Sequence, residues 1–451
     1  MKSKRVVLLV VMLLVALLTA NCGAPAAQPP AANTQAPAAQ TQAPAAQTEA
    51  PAAATQAPSA GEKVLKVGIL GPFTGPSART GEEFKTSTEM AFENINYTIG
   101  DYKIEPVWID SQSDPEKATR AYEEAIVKDG IQVGALGWHS SVAVALMEVA
   151  AKHKVPHFFG FGATEVVNQK FNSDPKYQYW TSKGWPSPAL LSQNYVTALE
   201  DAIAAGQWSP AEKTAAIYGE DTDWGRSFGE GLAGQLEAAG WKVVDKQYFP
   251  LDQTEFYPLL NKFKDENVAL VAGTSTAPPS LSAFIKQADE VGLKSLIIAD
   301  GLGWVGEWYD LTGSSSNYVL DQIPGWTTDA SKKFAADFKA KSGLEPSPSS
   351  GGLSYDGINY LIKVLQTTYD DTGELTSATI FDTIKNKVWT GQLTFTTDDG
   401  AIVMSKYDFS KPPDPIVGKG YYTFPVLQYM DGVGQYIWPP EFANAKLQPK
   451  P

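Results

Sequence analysis

The sequence predicts a two-lobed α/β protein, and three observations support that fold class. From residue 62 onward, short runs rich in β-branched and apolar residues alternate with stretches of helical period. Strands that alternate with helices form parallel sheets with helices on both faces. Residues 62–451 exceed what one hydrophobic core usually holds, and a second alternating set begins after the loop at 180–188. The cleft between two such sheets, at the carboxyl ends of their strands, is the expected binding site.

The first set contains strands and helices in strict alternation. Its strands are predicted at 64–71, 102–111, 132–138 and 156–162, and its helices at 81–96, 114–129 and 140–154. Asp114 and Pro115 open the second of these helices, because aspartate caps a helix N-terminus and proline suits its first turn. The second set is predicted to contain strands at 214–220, 268–274 and 295–301, with helices at 224–240 and 278–293.

The start of the chain predicts export. A positively charged beginning precedes an uncharged apolar run at 6–20, which is the layout of a signal peptide. The run is also nearly long enough to anchor the chain in a bilayer, but Cys22, the only cysteine, follows where it ends. The stretch LTANC resembles a bacterial lipobox, although Thr19 and Asn21 depart from its usual residues. The resemblance implies a signal peptide over 1–21 and lipid attachment at Cys22.

Residues 22–61 are predicted to be a disordered tether. They repeat units such as TQAPAAQ, in which a proline in each unit prevents a continuous helix. The segment has no large apolar side chains and cannot bury a core. The sequence therefore predicts a globular body outside the cytoplasm, in the periplasm or at the outer face of the plasma membrane, that touches the membrane through its lipid alone.

Composition disfavours several classes of partner and cofactor. The formal net charge of -14 argues against nucleic acid. One cysteine and three histidines are a poor source of ligands for zinc or haem, so no metal and no cofactor are expected. GLGWVG at 301–306 fits the dinucleotide pattern G-x-G-x-x-G, with Asp321 about twenty residues further on. Its place deep in the second lobe, in an exported protein, disfavours a dinucleotide.

The stretch GWHSS at 137–141 stands where a predicted strand ends and a helix begins. His139 lies too close in sequence to serve Ser140 or Ser141 in a hydrolase, and no G-x-S-x-G elbow surrounds either serine. A helix N-terminus with serine hydroxyls instead favours an anion site. Ser140 taken alone is equally well explained as the helix N-cap.

Further polar and aromatic residues end other predicted strands. In GFGATE at 160–165, the glycines allow close approach of a ligand and Thr164 offers a hydroxyl. Asp300 ends a strand of the second set, where a carboxylate either holds an ammonium group or caps its own turn. Seven aromatic residues lie near the same strand ends, and one or two are expected to face an apolar part of the ligand: Trp138, Phe159, Phe161, Trp180, Trp185, Trp224 and Trp304.

Several stretches occur in one order along the chain: KVGILGPFTGP, WIDSQSDPEKA, GWHSS, VPHFFGFGATE, YGEDTDWGRS, VALVAGT, IIADG and LTFTTDDG. Over residues 64–435 this order resembles the type I periplasmic binding proteins of the branched-chain amino acid (Leu/Ile/Val) family, which serve ABC importers. The resemblance implies two Rossmann-like lobes joined by three crossover strands, near Thr181, Pro324 and Leu393. It divides the body into lobe 1, at 62–182 and 326–393, and lobe 2, at 183–325 and 394–451.

The resemblance also implies a ligand site. Its α-carboxylate would be held by Ser141 and by backbone and hydroxyl at Gly162 and Thr164, and its ammonium group by Asp300. The full set of predicted ligand-binding residues is Thr80, His139, Ser140, Ser141, Gly162, Ala163, Thr164, Trp224, Thr274 and Asp300. Where the family often places tyrosines, this chain has threonines and a tryptophan, which leaves the ligand's side chain open. Arg79 could suit a second carboxylate.

The expected function is therefore that of a monomeric solute-binding lipoprotein without enzymatic activity. It would capture a small amino acid or a related carboxylate or amide by hinge closure and deliver it to an ABC permease. The alternative is a ligand-sensing receptor module of the same fold.

Overall fold

The computed structural model describes residues 63–451. The predicted signal peptide, the lipidation site Cys22 and the repetitive tether at 22–61 lie outside the described residues. Within 63–451, every helix is either too short or too polar to cross a membrane.

Strands and helices follow one another along the described part of the chain. The strands are β1 (Lys63–Gly71), β2 (Thr98–Ile99), β3 (Tyr102–Asp110), β4 (Val133–Leu136), β5 (His157–Phe158), β6 (Thr214–Glu220), β7 (Lys242–Phe249), β8 (Leu270–Thr274), β9 (Leu296–Asp300), β10 (Leu320–Gln322), β11 (Phe395–Thr396), β12 (Lys406–Tyr407), β13 (Val426–Met430) and β14 (Val433–Trp438). The α-helices are α1 (Ala78–Glu93), α2 (Pro115–Glu124), α3 (Ser140–His153), α4 (Glu165–Ser173), α5 (Pro188–Ala204), α6 (Asp223–Ala238), α7 (Tyr257–Asp265), α8 (Pro278–Glu290), α9 (Trp308–Thr312), α10 (Asp329–Ser342), α11 (Leu353–Thr372) and α12 (Ser377–Thr383).

Two large sheets organise the molecule and confirm the predicted α/β class with two lobes. The first sheet has the strand order β2-β3-β1-β4-β5, and the second has the order β14-β13-β10-β9-β8-β6-β7. Neighbouring strands are parallel except at β2, β13 and β14, which add antiparallel edges. Strands β11 and β12 form a separate antiparallel pair.

The central strand β1 shows why these sheets are buried on both faces. Leu65, Val67 and Ile69 alternate along it and pack into the cluster that includes apolar residues of α1 and α11. Leu70 points the other way and packs into the cluster formed with α2 and α3. Helices therefore cover the first sheet on both sides, as a parallel sheet requires.

The chain passes between the two sheets three times. It leaves the first sheet after β5, through a segment in which Lys183 pairs with Gly160 as a short parallel bridge. It returns after β10 to form α10 and α11, which pack on α1, and crosses again between β12 and β13. The small β11–β12 pair lies beside the first sheet, where Phe395 stacks on Tyr360. The lobe boundaries inferred from the resemblance stay a prediction.

Two predicted elements are shorter than the sequence pattern suggests. The strand predicted at 156–162 ends at Phe158, because Phe159 takes a φ of 57° and turns the chain out of the extended conformation. The helix predicted at 114–129 keeps its α-helical pitch only to Glu124, and a wider five-residue turn completes it. That turn ends at Gly130, whose φ of 75° suits glycine.

Asp114 caps α2 as predicted, and its replacement by alanine should cost about 1 kcal/mol of unfolding free energy. Its Oδ1 accepts hydrogen bonds from the amides of Glu116 at 2.8 Å and Lys117 at 3.0 Å. Ser187 precedes α5 without any such bond, so Ser187→Ala is the matched control and should change stability by less than about 0.5 kcal/mol. Urea unfolding of both variants measures the difference, and equal losses would contradict the assigned cap.

Candidate functional site

A small cavity lies where the strand ends of the two sheets face each other. Its volume is about 20 Å³, which is enough room for about one water molecule. Seven side chains line it: Trp138, Ser140, Phe161, Trp185, Trp224, Thr276 and Trp304. They come from both sheets and from the first segment that connects them, so the cavity has walls in both lobes.

Trp304 lies at the centre of the aromatic wall. Its ring centroid is 5.2 Å from that of Trp138, 5.5 Å from that of Trp185 and 6.0 Å from that of Trp224. The first two contacts are edge-to-face, at 89° and 83°, which is a favoured arrangement of aromatic pairs. The sequence correctly predicted that aromatic residues gather at these strand ends. Two of the seven lie outside the cavity lining: Phe159 packs against Tyr407, and Trp180 stacks on His157.

Ser140 and Ser141 open α3 with different partners. The Ser140 hydroxyl oxygen accepts hydrogen bonds from the amides of Ala163 at 3.1 Å and Thr164 at 3.2 Å. It thus ties the start of α3 to the glycine-rich turn rather than capping its own helix. The Ser141 hydroxyl accepts from the amide of Asp223 at 3.1 Å, across the cleft at the start of α6.

The turn at 160–164 packs tightly against α3. A Cβ on Gly162 would lie 2.5 Å from the Cβ of Ala143, so a side chain there would push the turn away. Lys183, fully buried, holds the same turn, because its Nζ donates to the Ala163 carbonyl at 3.2 Å and pairs with Asp414 at 2.6 Å. The Thr164 hydroxyl is buried and has no hydrogen-bond partner among the described residues.

Thr276, which follows β8, joins the two sides of the cleft. Its carbonyl accepts hydrogen bonds from Ser77 Oγ at 2.7 Å and Trp138 Nε1 at 3.3 Å. Its hydroxyl donates to the buried carboxyl of Glu220 at 2.6 Å and lies 3.2 Å from His139 Nδ1. Burial lowers the pKa of His139 to about 3, so the ring is neutral and Nδ1 carries the hydrogen in this contact.

Asp300 is buried but is absent from the cavity lining. Its Oδ1 accepts a hydrogen bond from Tyr195 at 2.9 Å, while Oδ2 has no partner among residues 63–451. Burial, and then the neighbouring charge of Asp321, raise the pKa of Asp300 well above its usual range. A carboxyl in this setting favours its neutral form, and its predicted contact with an ammonium group stays a prediction.

The remaining predicted residues are Trp224, Thr274 and Thr80. Trp224 lines the cavity and donates from Nε1 to the Thr274 hydroxyl at 3.0 Å, and that hydroxyl donates to the Asp300 carbonyl at 2.9 Å. Thr274 therefore positions Trp224 and is not among the lining residues. Thr80, in the first turn of α1, is fully buried and its hydroxyl has no partner within the described part of the chain.

Arg79 takes protein carboxylates as its partners. Its Nη2 lies 2.6 Å from Glu307 and donates to the Glu345 carbonyl at 2.8 Å, and its Nη1 lies 3.3 Å from Glu83. Glu307 belongs to the second sheet's side, so this network joins the two lobes beside the cavity. The sequence suggested that Arg79 could bind a second ligand carboxylate, and it did not predict these ion pairs within the protein.

Sequence reasoning missed Thr276, Glu220 and Glu83 as parts of the site region. Glu83 lies in the polar start of α1 and Glu220 ends β6, and neither position alone signals that its side chain is fully buried. The available signal was the strand end at VAGTST, because polar residues following parallel strands gather at one sheet edge. Among residues 63–451, no three histidine, cysteine or acidic side chains are grouped so as to hold a metal ion.

Comparison with known proteins extends these findings. A family model described as "Periplasmic binding protein" matches residues 64–409. The chain is 24% identical over 336 residues to the Leu/Ile/Val-binding protein homolog 6 of Brucella suis biovar 1 (strain 1330), with 72% of this chain and 81% of that protein covered.

Solved structures share the fold. One is a branched-chain amino acid ABC transporter protein of Thermus thermophilus with bound valine, at a TM-score of 0.67 and 17% identity, covering 85% of this chain and 98% of that chain. Another is a solute-binding protein of R. palustris in complex with benzoate, also at a TM-score of 0.67 and 17% identity, covering 85% and 100%.

Proposed function

Because the chain belongs to the periplasmic binding protein family, we propose that it captures a small amino acid, or a related carboxylate or amide, between its lobes and delivers it to an ABC permease. The family consists of solute-binding proteins that act outside the cytoplasm. We further propose that this member is a monomer that leaves its ligand chemically unchanged. Lipid attachment at Cys22 belongs to the same proposal and is supported by the stretch LTANC.

The observation that carries the proposal is the cavity with walls in both lobes. Trp138, Ser140 and Phe161 of the first lobe line it together with Trp224, Thr276 and Trp304 of the second. Contacts from both sides stabilise the closed form more than the open form, so ligand binding shifts the population towards closure. Hydrogen bonds from Ser77 and Trp138 to the Thr276 carbonyl, and from the Asp223 amide to the Ser141 hydroxyl, join the two sides of the cleft in this structure.

The ligand site next to Ser140 and Ser141 is supported as an anion site by its position at the start of α3. The first amides of a helix have no acceptors within that helix, and the helix dipole favours a negative charge there. Ser140 lies in the cavity wall at this point. We therefore propose that the carboxylate or amide oxygen of the ligand faces α3.

A thermal-shift screen of the full-length protein, freed of small molecules by unfolding and refolding, tests the proposal. We expect at least one amino acid, carboxylate or amide to raise the melting temperature, because a ligand at 100 times its Kd stabilises the native state by about 2.7 kcal/mol. X-ray scattering should show a smaller radius of gyration with that ligand. Hexoses serve as controls and should cause no shift, and a response to sugars alone would contradict the proposed ligand class.

A further inference from the structure

The stretch GLGWVG at 301–306, called here the glycine loop, has a place in the fold that its dinucleotide-like pattern does not suggest. It follows β9 of the second sheet, and Gly301 turns the chain with a φ of 106°. Asp321, in β10, accepts hydrogen bonds from the amides of Gly301 at 3.0 Å and Gly303 at 2.8 Å. These two amides of the loop are therefore held within the second lobe.

The carbonyl groups of the glycine loop bind the opposite lobe. Ser347 Oγ donates to the Gly303 carbonyl at 2.6 Å, and Ser350 Oγ donates to the Trp304 carbonyl at 2.5 Å. Both serine side chains are fully buried. They belong to the segment 347–351, called here the serine turn, which lies just before α11 on the side of the first sheet.

The serine turn is anchored to the first lobe through α1. The amide of Ser347 donates to Glu83 Oε2 at 2.9 Å. Further along α1, Ser87 Oγ donates to the Gly351 carbonyl at 2.7 Å. The turn therefore moves with the first lobe, whereas the carbonyls that it binds move with the second.

The position of Ser350 requires a proton on Glu83. Ser350 Oγ lies 2.8 Å from Glu83 Oε2 as well as 2.5 Å from the Trp304 carbonyl oxygen. A hydroxyl has one hydrogen and a carbonyl can only accept, so Ser350 satisfies both neighbours when Glu83 donates to it. Burial raises the pKa of Glu83 to about 7; the charge of Arg79 opposes this shift and that of Glu307 adds to it. At pH 6 the carboxyl therefore carries the proton that this arrangement needs.

The last glycine of the loop lies directly against the first lobe. A Cβ on Gly306 would lie 2.1 Å from the carbonyl oxygen of Glu345, in the backbone just before the serine turn. Backbone cannot swing aside as the end of a flexible side chain can. A side chain at 306 would therefore push the glycine loop and the serine turn apart.

These contacts also determine where the ring of Trp304 lies. That ring lines the cavity at the centre of its aromatic wall. The serine turn holds the carbonyls of Gly303 and Trp304 from the first lobe, and Asp321 holds the Gly303 amide from the second. The backbone that carries the ring is thus fixed from both lobes at once.

We propose that the glycine loop and the serine turn form a clasp: when the lobes close, Ser347 and Ser350 bind the carbonyls of the loop and so set the Trp304 ring in the cavity wall. Ser347, Ser350 and Gly306 are positioning residues, since they lie outside the cavity lining. The inference rests on the proposed function, because it needs a hinge that closes, and it adds a closing contact that is separate from the ligand.

Fluorine NMR of the full-length protein labelled with 5-fluorotryptophan tests the clasp at Trp304, whose resonance is the one that Trp304→Phe removes. In the double variant Ser347→Ala and Ser350→Ala at pH 6, the ratio of closed to open form should fall about tenfold, because two net hydrogen bonds are worth about that factor. The Trp304 resonance should then move or gain a second component. Ser354→Ala is the matched control, since the buried Ser354 hydroxyl donates to the Gly351 carbonyl at 3.0 Å within the first lobe, and it should leave the resonance in place.

An alanine at 306 tests the same clasp without removing a hydrogen bond. Gly306→Ala should wedge the two segments apart, move the Trp304 resonance in the same direction and enlarge the radius of gyration in X-ray scattering. Gly234→Ala is the matched control, because a Cβ on Gly234, in α6, would meet no atom of residues 63–451 within 4 Å. Melting temperatures verify which variants fold.

The outcomes separate the clasp from the proposed function. A Trp304 resonance that stays in place in either folded clasp variant, or that moves as far in the controls, would overturn the inference. These measurements need no ligand, so that result would leave the proposed function standing. The proposed function fails instead if no amino acid, carboxylate or amide raises the melting temperature in the ligand screen.

Discussion

Replacing Arg79 by methionine is expected to open the cleft and to weaken ligand binding by about 100-fold. Arg79, in α1, pairs with Glu307 on the far side of the cleft at 2.6 Å and with the fully buried Glu83 at 3.3 Å. The arginine side chain itself is 19% exposed. Removing the cation leaves two carboxylates close together without their partner, and breaking a buried ion pair costs about 3 kcal/mol or more. Because this pair joins the two sides of the cleft, we expect most of that cost to fall on the closed form.

X-ray scattering of the ligand-free protein measures the opening, and calorimetry with the ligand identified by the screen measures the affinity. Arg226→Met is the matched control. Arg226 pairs with Asp221 at 2.5 Å, but both side chains are at least half exposed, so its loss should cost less than about 1 kcal/mol. A scattering profile and an affinity unchanged in Arg79→Met would show that this network does not hold the lobes together.

Replacing Glu83 by glutamine should remove a pH-dependent part of the unfolding free energy that amounts to about 3 kcal/mol. Burial raises the pKa of Glu83 from about 4.5 to about 7, despite the favourable charge of Arg79 and hydrogen bonds from Ser347 and Ser350. Between these two values the folded state holds a proton that the unfolded state has lost. The wild-type contribution is therefore fully present below about pH 4.5 and is lost as the pH rises through about 7, at about 1.4 kcal/mol per unit.

Glutamine has no titrating group, so the unfolding free energy of Glu83→Gln relative to wild type should rise by about 3 kcal/mol between pH 4.5 and pH 8. The comparison cancels the opposite effect of His139 and His157, whose pKa values burial lowers to about 3. Glu82→Gln, which removes the neighbouring carboxyl from a side chain that is 57% exposed, is the matched control. Denaturant titrations at several pH values give these numbers; parallel curves for Glu83→Gln and wild type would contradict the assigned titration.

Periodicity predicted the interior of the fold well. The strands expected at 64–71 and 214–220 are β1 and β6 within one residue, because buried parallel strands are continuous apolar runs. The family resemblance drawn from the motif order is confirmed by the match over residues 64–409. The C-terminal strands β13 and β14 were not predicted, since their burial depends on pairing with β10, about a hundred residues earlier.

The sequence predicted only part of the candidate site, because some of its contacts also join distant parts of the chain. Strand ends pointed to Trp138, Ser140 and Trp224, and the structure brings these together in one cavity. The bonds of Thr276 to Ser77 and His139 join residues far apart in sequence, and no local pattern reveals such pairings. The predicted ligand contacts of Ser141, Gly162, Thr164 and Asp300 stay predictions.

The interleaving of the two sheets along the chain has a consequence for how the protein is made. When β10 has been synthesised, the first sheet still lacks α11, which packs against α1 and β4. The second sheet still lacks β13, whose residues Val426 to Gln428 pair with β10. It also lacks the C-terminal segment in which the Leu447 amide donates a hydrogen bond to Gln207. Domains encoded by contiguous segments can fold one after another during synthesis. Here neither lobe is complete until nearly the whole polypeptide exists, so we expect the two lobes to finish folding together after translation.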